Sequence, residues 1–470
     1  MRLQWLCGEL NKHTALWYYI CINIHIEGII MQFIDGGVSA PKGFFANGVL
    51  AGIKAGRTKE DTALFVSEKV CNAAGVFTKN LAQAEPVKLD KKRLSRRRAQ
   101  AVIINTGYAN AGTGAQGAAN AVRTAHAAAA GLSEKEGANG AQWGKIDEED
   151  VLVCSTGVIG QQVPVEKIEA HIGELVDGLS KEGHEKARVA IMTTDTKYKE
   201  CAVQVEIGGK TVTLGTMAKG SGMIHINLGT MLGFVTTDCA ISAEMLDAAL
   251  RESIEGTYNC VSVDGDTSTN DTLIIMANGL AGNAEITEKN GDYQLFLEAL
   301  NALNTQIARK IAADGEGATH LLECTVVGAK TVESARKMAK SVISSSLVKA
   351  AFFGKDANWG RILCALGYSG EFFTPEKTSL YFMTSEFAEK AGCPVCAAKK
   401  AAAEKEEPAG FIKVCDHGVP VQFDEEKAVI IMSEGEVKIL VKLEDGDAVG
   451  TAWGCDLTYE YVKINGDYRT

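Results

Sequence analysis

From Phe33 onward, short runs of consecutive apolar residues alternate with longer stretches whose apolar positions recur every three or four residues. The first pattern belongs to buried strands and the second to amphipathic helices. Ala101–Asn105 and Val151–Cys154 read as buried strands, the second running into Ser-Thr-Gly. Ala118–Ala130, Pro164–Leu179, Ala243–Ile254, Tyr293–Asp314 and Thr331–Leu347 read as helices; Val165, Ile168, Ile172 and Val176 give Pro164–Leu179 its apolar stripe. Cys201–Leu214 alternates like a hairpin that turns at Gly208-Gly209. Thr319–Val327 reads as a strand, and Ala428–Val441 as two strands around Ser433–Glu436. The Ala/Lys/Glu-rich stretch Lys390–Gly410 reads as a solvated helix or a surface insertion. Hairpins interspersed with helices predict a mixed α/β chain, not a purely parallel sheet.

The length of 470 residues admits about two to four domains at roughly 100–200 residues each. A formal charge of -11 argues against nucleic acid as the main partner, which calls for a basic face. The 13 cysteines are scattered without disulfide spacing and read as reduced thiols of a cytoplasmic protein. Cys393 and Cys396 form a lone CxxC, read as incidental. Residues 1–30 differ from the rest. Their apolar run Ala15–Ile22 is followed at once by Asn23, His25 and Glu27, far short of the about 18–20 apolar residues of a membrane span. They read as an extension of doubtful relevance, with Met31 the working start.

Two glycine-rich segments carry candidate chemistry. Gly112–Gly117 fits GxGxxG, yet Thr106–Ala111 separates it from the strand residue Asn105. A dinucleotide site needs the first glycine directly off the strand, so an oxidoreductase ranks as a distant rival. Small residues entering a helix also expose backbone N–H groups that can hold an oxyanion, and Thr113 adds a hydroxyl there. The second segment runs from Lys219 to Asp238 and contains Gly229-Thr230. A threonine becomes a competent nucleophile when a base stands beside it, and cleavage of the preceding peptide bond would supply its own α-amine. On the residues alone, a tight structural turn remains open at both places.

With these segments in view, the sequence resembles the ornithine acetyltransferase family, the bifunctional glutamate N-acetyltransferases/amino-acid acetyltransferases of arginine biosynthesis. The resemblance runs from about Gly36 to Thr470 through ordered blocks: AGVFTKN (74–80), INTGYANAGTG (104–114), CSTGVIG (154–160), KGSGMI…GTML (219–232), DGDTSTNDT (264–272), DGEGATH (314–320), LVKAAFFGKDANWGRI (347–362) and GCDLTYEYVKINGDYRT (454–470). It implies a four-layer α/β/β/α-type fold of the self-processing kind. It also implies cleavage between Gly229 and Thr230 into an alpha chain, 31–229, and a beta chain, 230–470. Thr230 would then carry acetyl from N-acetylornithine to glutamate, with acetyl-CoA a possible further donor and no cofactor.

Mapped by motif, Thr113 and Gly114 would stabilise the oxyanion, and Thr156, Lys219, Thr230, Glu316, Asn465 and Thr470 would contact substrate. Lys219 suits the substrate α-carboxylate and Glu316 the δ-ammonium of N-acetylornithine. The family suggests a heterotetramer of two alpha and two beta chains, with neither nucleic acid nor membrane as partner. Asp264, Asp266 and Asp271 invite a metal reading, but such Asp/Ser/Thr clusters also build turns, and no metal is expected. His225 reads as local variation, and Gly229 stands where the family commonly has Ala. The alternative is an N-terminal-nucleophile aminopeptidase or amidase of related fold, which would hydrolyse the acyl intermediate.

Overall fold

The computed structural model describes residues 31–135, 143–225, 231–404 and 406–467. The expected extension 1–30, the junction Gly229-Thr230 and the terminal Thr470 lie outside the described residues. The chain forms two compact units. Among described residues, one holds 31–259 and 266–307 and the other 260–265 and 308–467. These units do not coincide with a division at residue 229: the strands Leu232–Thr237 and Thr272–Ala277 belong to the first.

The first unit is built on a nine-stranded mixed sheet. Its order is Met31–Ile34, Lys199–Ile207, Lys210–Lys219, Leu232–Thr237, Thr272–Ala277, Thr62–Phe77, Arg98–Tyr108 and Val151–Val158, with Phe44–Val49 also paired to Thr62–Phe77. Residues two apart share a face of a strand. Leu64, Val66, Ala101, Ile103, Val151 and Val153 therefore pack together against the helices Gly114–Glu134 and Val165–Asp177. The intervening Phe65, Val102, Ile104 and Leu152 form a second cluster with Phe234, Ile274 and the helix His184–Ala190. Phe65 meets Phe234 edge to face at 5.4 Å.

The expected hairpin is met closely in this unit. Lys199–Ile207 and Lys210–Lys219 form the antiparallel hairpin, and both turn glycines have positive φ, 57° and 71°. That is the type I′ geometry that matches strand twist. The GxGxxG segment lies between two parallel strands, Arg98–Tyr108 and Val151–Val158, joined through the helix Gly114–Glu134. The helix starts earlier than the alanine run suggests because its first turn is made of Gly114–Gly117.

The second unit has a six-stranded sheet ordered Val419–Pro420, Phe411–Asp416, Ser379–Thr384, Glu436–Lys442, Leu321–Ala329 and Ala448–Cys455. Three expectations are corrected here. Ala428–Val441 is not two strands: Glu425–Met432 is a helix, and only Glu436–Lys442 is extended. The run Ala-Val-Ile-Ile favours a strand locally. Asp424 reverses this by accepting from the Glu426 and Lys427 amides, with two glutamates in the first turn. Thr331–Leu347 is two helices, Val332–Ser344 and Ser346–Phe353, broken at extended Ser345, whose hydroxyl caps the second by accepting from the Val348 amide at 3.4 Å. Within Lys390–Gly410, the helix Pro394–Ala403 is solvated on one side only. Its Ala397 and Ala401 pack with Met383, Phe411 and Leu440 of the sheet. The CxxC is a helix cap there, with Cys393 Sγ accepting from the Cys396 amide at 3.0 Å.

Candidate active site

The first unit holds Thr113, Gly114, Thr156 and Lys219. Thr113 sits at the N-cap of Gly114–Glu134, but its side chain makes no cap bond. Its hydroxyl instead donates to Asn110 Oδ1 at 2.7 Å, leaving the first-turn amides uncapped. An uncapped helix N-terminus attracts negative charge, through its exposed N–H groups and the helix dipole. The entering loop has left-handed backbone at Asn110 (φ 51°), Gly112 (φ 66°) and Gly114 (φ 60°). It is tied to the segment that follows the next strand: Gly160 N donates to Ala111 O at 2.9 Å, and Gln162 Nε2 to Thr113 O at 2.9 Å.

Thr156 is buried on the neighbouring parallel strand, in register with Thr106. Lys219 ends the hairpin strand, and its ammonium donates to Thr156 Oγ1 at 3.3 Å. Two of the residues that the motifs assign to substrate contact are therefore in contact with each other. His225 lies in a two-residue strand whose carbonyl accepts from Thr267 Oγ1 at 3.2 Å.

Sequence reasoning missed the support beneath Lys219. Asp195 Oδ1 accepts from Lys199 Nζ and from the Gly220 amide, both at 2.7 Å, and Oδ2 accepts from the Thr193 amide at 3.0 Å. Both side chains of the Asp195–Lys199 pair are wholly buried. Burial alone would raise the Asp195 carboxyl, but the ammonium groups of Lys199 and Lys219, with the hydrogen bonds, hold it down to about 2. The carboxylate thus fixes the start of the loop that follows Lys219. The only sequence signal was the i,i+4 spacing of Asp195 and Lys199, which is common on surfaces.

The DGDTSTNDT block acts as a brace. Asn270 Nδ2 donates to Ala109 O at 2.6 Å and Ser155 O at 2.7 Å, joining the segments that lead to Thr113 and Thr156. The Thr272 amide donates to Met231 O at 2.9 Å, tying in the residue that follows Thr230 in the chain. Asp271 is buried, and burial pushes its carboxyl well above the usual range. Among the described residues, no three His, Cys, Asp or Glu side chains converge on a metal position.

The second unit holds Glu316 and Asn465 together. Glu316 is buried, 7% exposed, and its Oε2 accepts from Asn465 Nδ2 at 2.7 Å. Its turn is clamped on both sides. Gly317 has φ 68°, and a Cβ there would come within 2.7 Å of the Tyr461 amide nitrogen in the C-terminal helix Tyr459–Gly466. Thr458 Oγ1 donates to Gly317 O at 2.7 Å, and Asp456 Oδ1 accepts from the Thr319 and His320 amides at 2.8 and 3.0 Å.

An uncapped helix entrance and, on the sheet of the same unit, an ammonium bonded to a buried hydroxyl are groups that can hold negative charge. A sequence model described as the ArgJ family matches residues 45–470. The arginine biosynthesis bifunctional protein ArgJ of Caldanaerobacter subterraneus subsp. tengcongensis is 46% identical over 440 residues, 94% of this chain and 100% of that protein. Its namesake from Symbiobacterium thermophilum is 47% identical over 441 residues, again 94% and 100%. The crystal structure of the argJ bifunctional protein from Bacillus halodurans is 41% identical over 50% of this chain and 99% of that chain, with a TM-score of 0.44. The chain belongs to the ArgJ family.

Proposed function

We propose that this chain is an acetyltransferase of arginine biosynthesis that moves acetyl from N-acetylornithine to glutamate, giving ornithine and N-acetylglutamate. The observation that carries the reading is the family match over 45–470. The contact between Lys219 and Thr156, and the uncapped helix entrance bearing Thr113 and Gly114 in the same unit, add to it. Acetyl-CoA serves as a second donor, in keeping with the word bifunctional in the relatives' names. The enzyme works in the cytoplasm as two alpha and two beta chains.

Maturation begins when the Thr230 hydroxyl adds to the Gly229 carbonyl. The C–N bond breaks, the amine takes the hydroxyl proton, and water hydrolyses the resulting ester. The chains 31–229 and 230–470 result. The new α-amine, with an ordinary pKa of about 7.7–8.0, accepts the Thr230 hydroxyl proton as that oxygen attacks N-acetylornithine. Thr113 and Gly114 stabilise the oxyanion, and ornithine leaves with the proton. Glutamate then takes the acetyl from the Thr230 ester by the reverse sequence. Lys219 and Thr156 hold the α-carboxylate, Glu316 the δ-ammonium, and Asn465 and Thr470 complete the substrate contacts.

Purified protein given N-acetylornithine and glutamate is expected to yield ornithine and N-acetylglutamate in equal amounts, and Thr230→Ala to yield neither. Acetate release indifferent to glutamate would instead establish the hydrolase reading.

A further inference from the structure

We propose that Asn110 is the positioning residue of the Thr113 hydroxyl, a role that rests on the oxyanion reading above. Asn110 is buried and adopts φ 51°, a left-handed conformation that Asn tolerates better than most residues. Its amide is held at both ends. Nδ2 donates to Gly117 O at 3.0 Å, so Oδ1 is the atom that faces Thr113. An amide oxygen only accepts, so the Thr113 hydroxyl must be the donor in the 2.7 Å contact. The backbone on either side is fixed as well: Asn110 O accepts from the Glu85 amide at 3.0 Å, and Thr113 O from Gln162 Nε2 at 2.9 Å.

Gly117 makes this arrangement possible. A Cβ at that position would lie 2.0 Å from Thr113 Oγ1 and 2.4 Å from Asn110 Oδ1. The third glycine of the GxGxxG segment is thus spent on room for a side-chain contact. The helix approaches the loop so closely that only a hydrogen atom fits.

The consequence is a donor placed in advance. Asn110 holds the Thr113 oxygen in place and keeps its proton on a neutral acceptor. When a tetrahedral intermediate forms, its oxyanion is the stronger acceptor, because charge-assisted hydrogen bonds are roughly twice as strong as neutral ones. Rotation about the Cβ–Oγ1 bond then delivers the proton with no shift of heavy atoms. A carboxylate in place of the amide would compete with the oxyanion for that proton and repel the developing charge.

The test is a double-mutant cycle on the full chain, with turnover counted per cleaved chain from intact mass. Asn110→Ala is expected to lower kcat by about 10–100-fold while KM for N-acetylornithine stays within about twofold, as for a group acting only on the transition state. Combined with Thr113→Ala it should add no further loss, because the hydroxyl it positions is gone. Asn110→Asp should fall below Asn110→Ala. Multiplied losses in the double variant overturn the proposal. An unchanged rate in Thr113→Ala alone overturns the oxyanion reading instead. If Asn110→Ala fails to fold, Asn110→Gly, which keeps the left-handed backbone open, replaces it in the same cycle. If a variant folds without cleaving, the cleavage rate is the quantity compared.

Discussion

The two units build their candidate residues by different means. In the first, Thr113, Gly114 and Lys219 are held by backbone geometry and by wholly buried polar contacts: left-handed residues at 110, 112 and 114, the Asn270 brace, and the Asp195–Lys199 pair. In the second, the Glu316 turn is clamped by its neighbours, but its carboxylate is held by one amide from a helix none of whose residues is fully buried. The difference teaches a division of labour. Stabilising a charge that exists only in the transition state requires donors that do not reorganise. Recognising a substrate ammonium tolerates a partner that yields. Changes in the first unit should therefore act on kcat, and changes at Glu316 on the affinity for one substrate.

The largest effect expected short of removing Thr230 is at the buried pair. Lys199→Met leaves the Asp195 carboxylate without its main partner, and breaking such a pair costs about 3–5 kcal/mol. Chemical denaturation should show that loss, and Asp195→Asn/Lys199→Met together should recover part of it. Equal stability of single and double variants would show that the pair does not hold the Lys219 loop.

Next comes Thr113→Ala, expected to lower turnover by about 10²–10³ with little change in KM. A rise in KM alone would move Thr113 from chemistry to binding and erase the contrast. Glu316→Gln should raise KM for N-acetylornithine by about 10–100-fold, the equivalent of one charged hydrogen bond. Glutamate has no δ-ammonium, so its KM should move far less. Equal shifts for both substrates would sink the ammonium assignment.

A separate effect, on stability against pH, is on the acid side and touches both units. In the second, Glu323 accepts from Lys438 Nζ at 2.9 Å and Trp453 Nε1 at 2.8 Å, and pairs with Arg309. Burial would raise its carboxyl, but Lys438 and Arg309 hold it down to about 2. Asp195 is held to about 2 as well. Unfolded, these groups titrate near about 4.3 and 3.9. Folded-state pKa values below the unfolded ones mean stability that is complete above about pH 4.3 and is lost as pH falls toward 2. Thermal unfolding between pH 5 and 2 should show this decline, and Glu323→Gln should flatten part of it.

Much of this was legible in the sequence. The hairpin at Gly208-Gly209, the helices Val165–Asp177 and Ala243–Glu255, and the ordered motif blocks follow from periodicity and turn chemistry. Local signals misled where tertiary contacts decide. Ala428–Ile431 is β-branched and apolar, yet one aspartate cap turns it into a helix. The site showed the same limit. Thr113, Lys219 and Glu316 carry recognisable chemistry, so motifs point to them. Asn110, Asp195 and Asn270 act through contacts that residue type does not announce: Asn110 holds the Thr113 hydroxyl, Asp195 the Gly220 amide, and Asn270 the distant carbonyls of Ala109 and Ser155. GxGxxG looked like a phosphate loop because sequence does not distinguish a glycine that admits a ligand from one that admits Asn110 and Thr113.

The most direct measurement is the intact mass of the purified protein before and after N-acetylornithine. The account predicts two chains divided between Gly229 and Thr230, with a single acetyl added only to the chain that begins at Thr230. A single uncleaved chain, or an acetyl group found on any other residue, would contradict it.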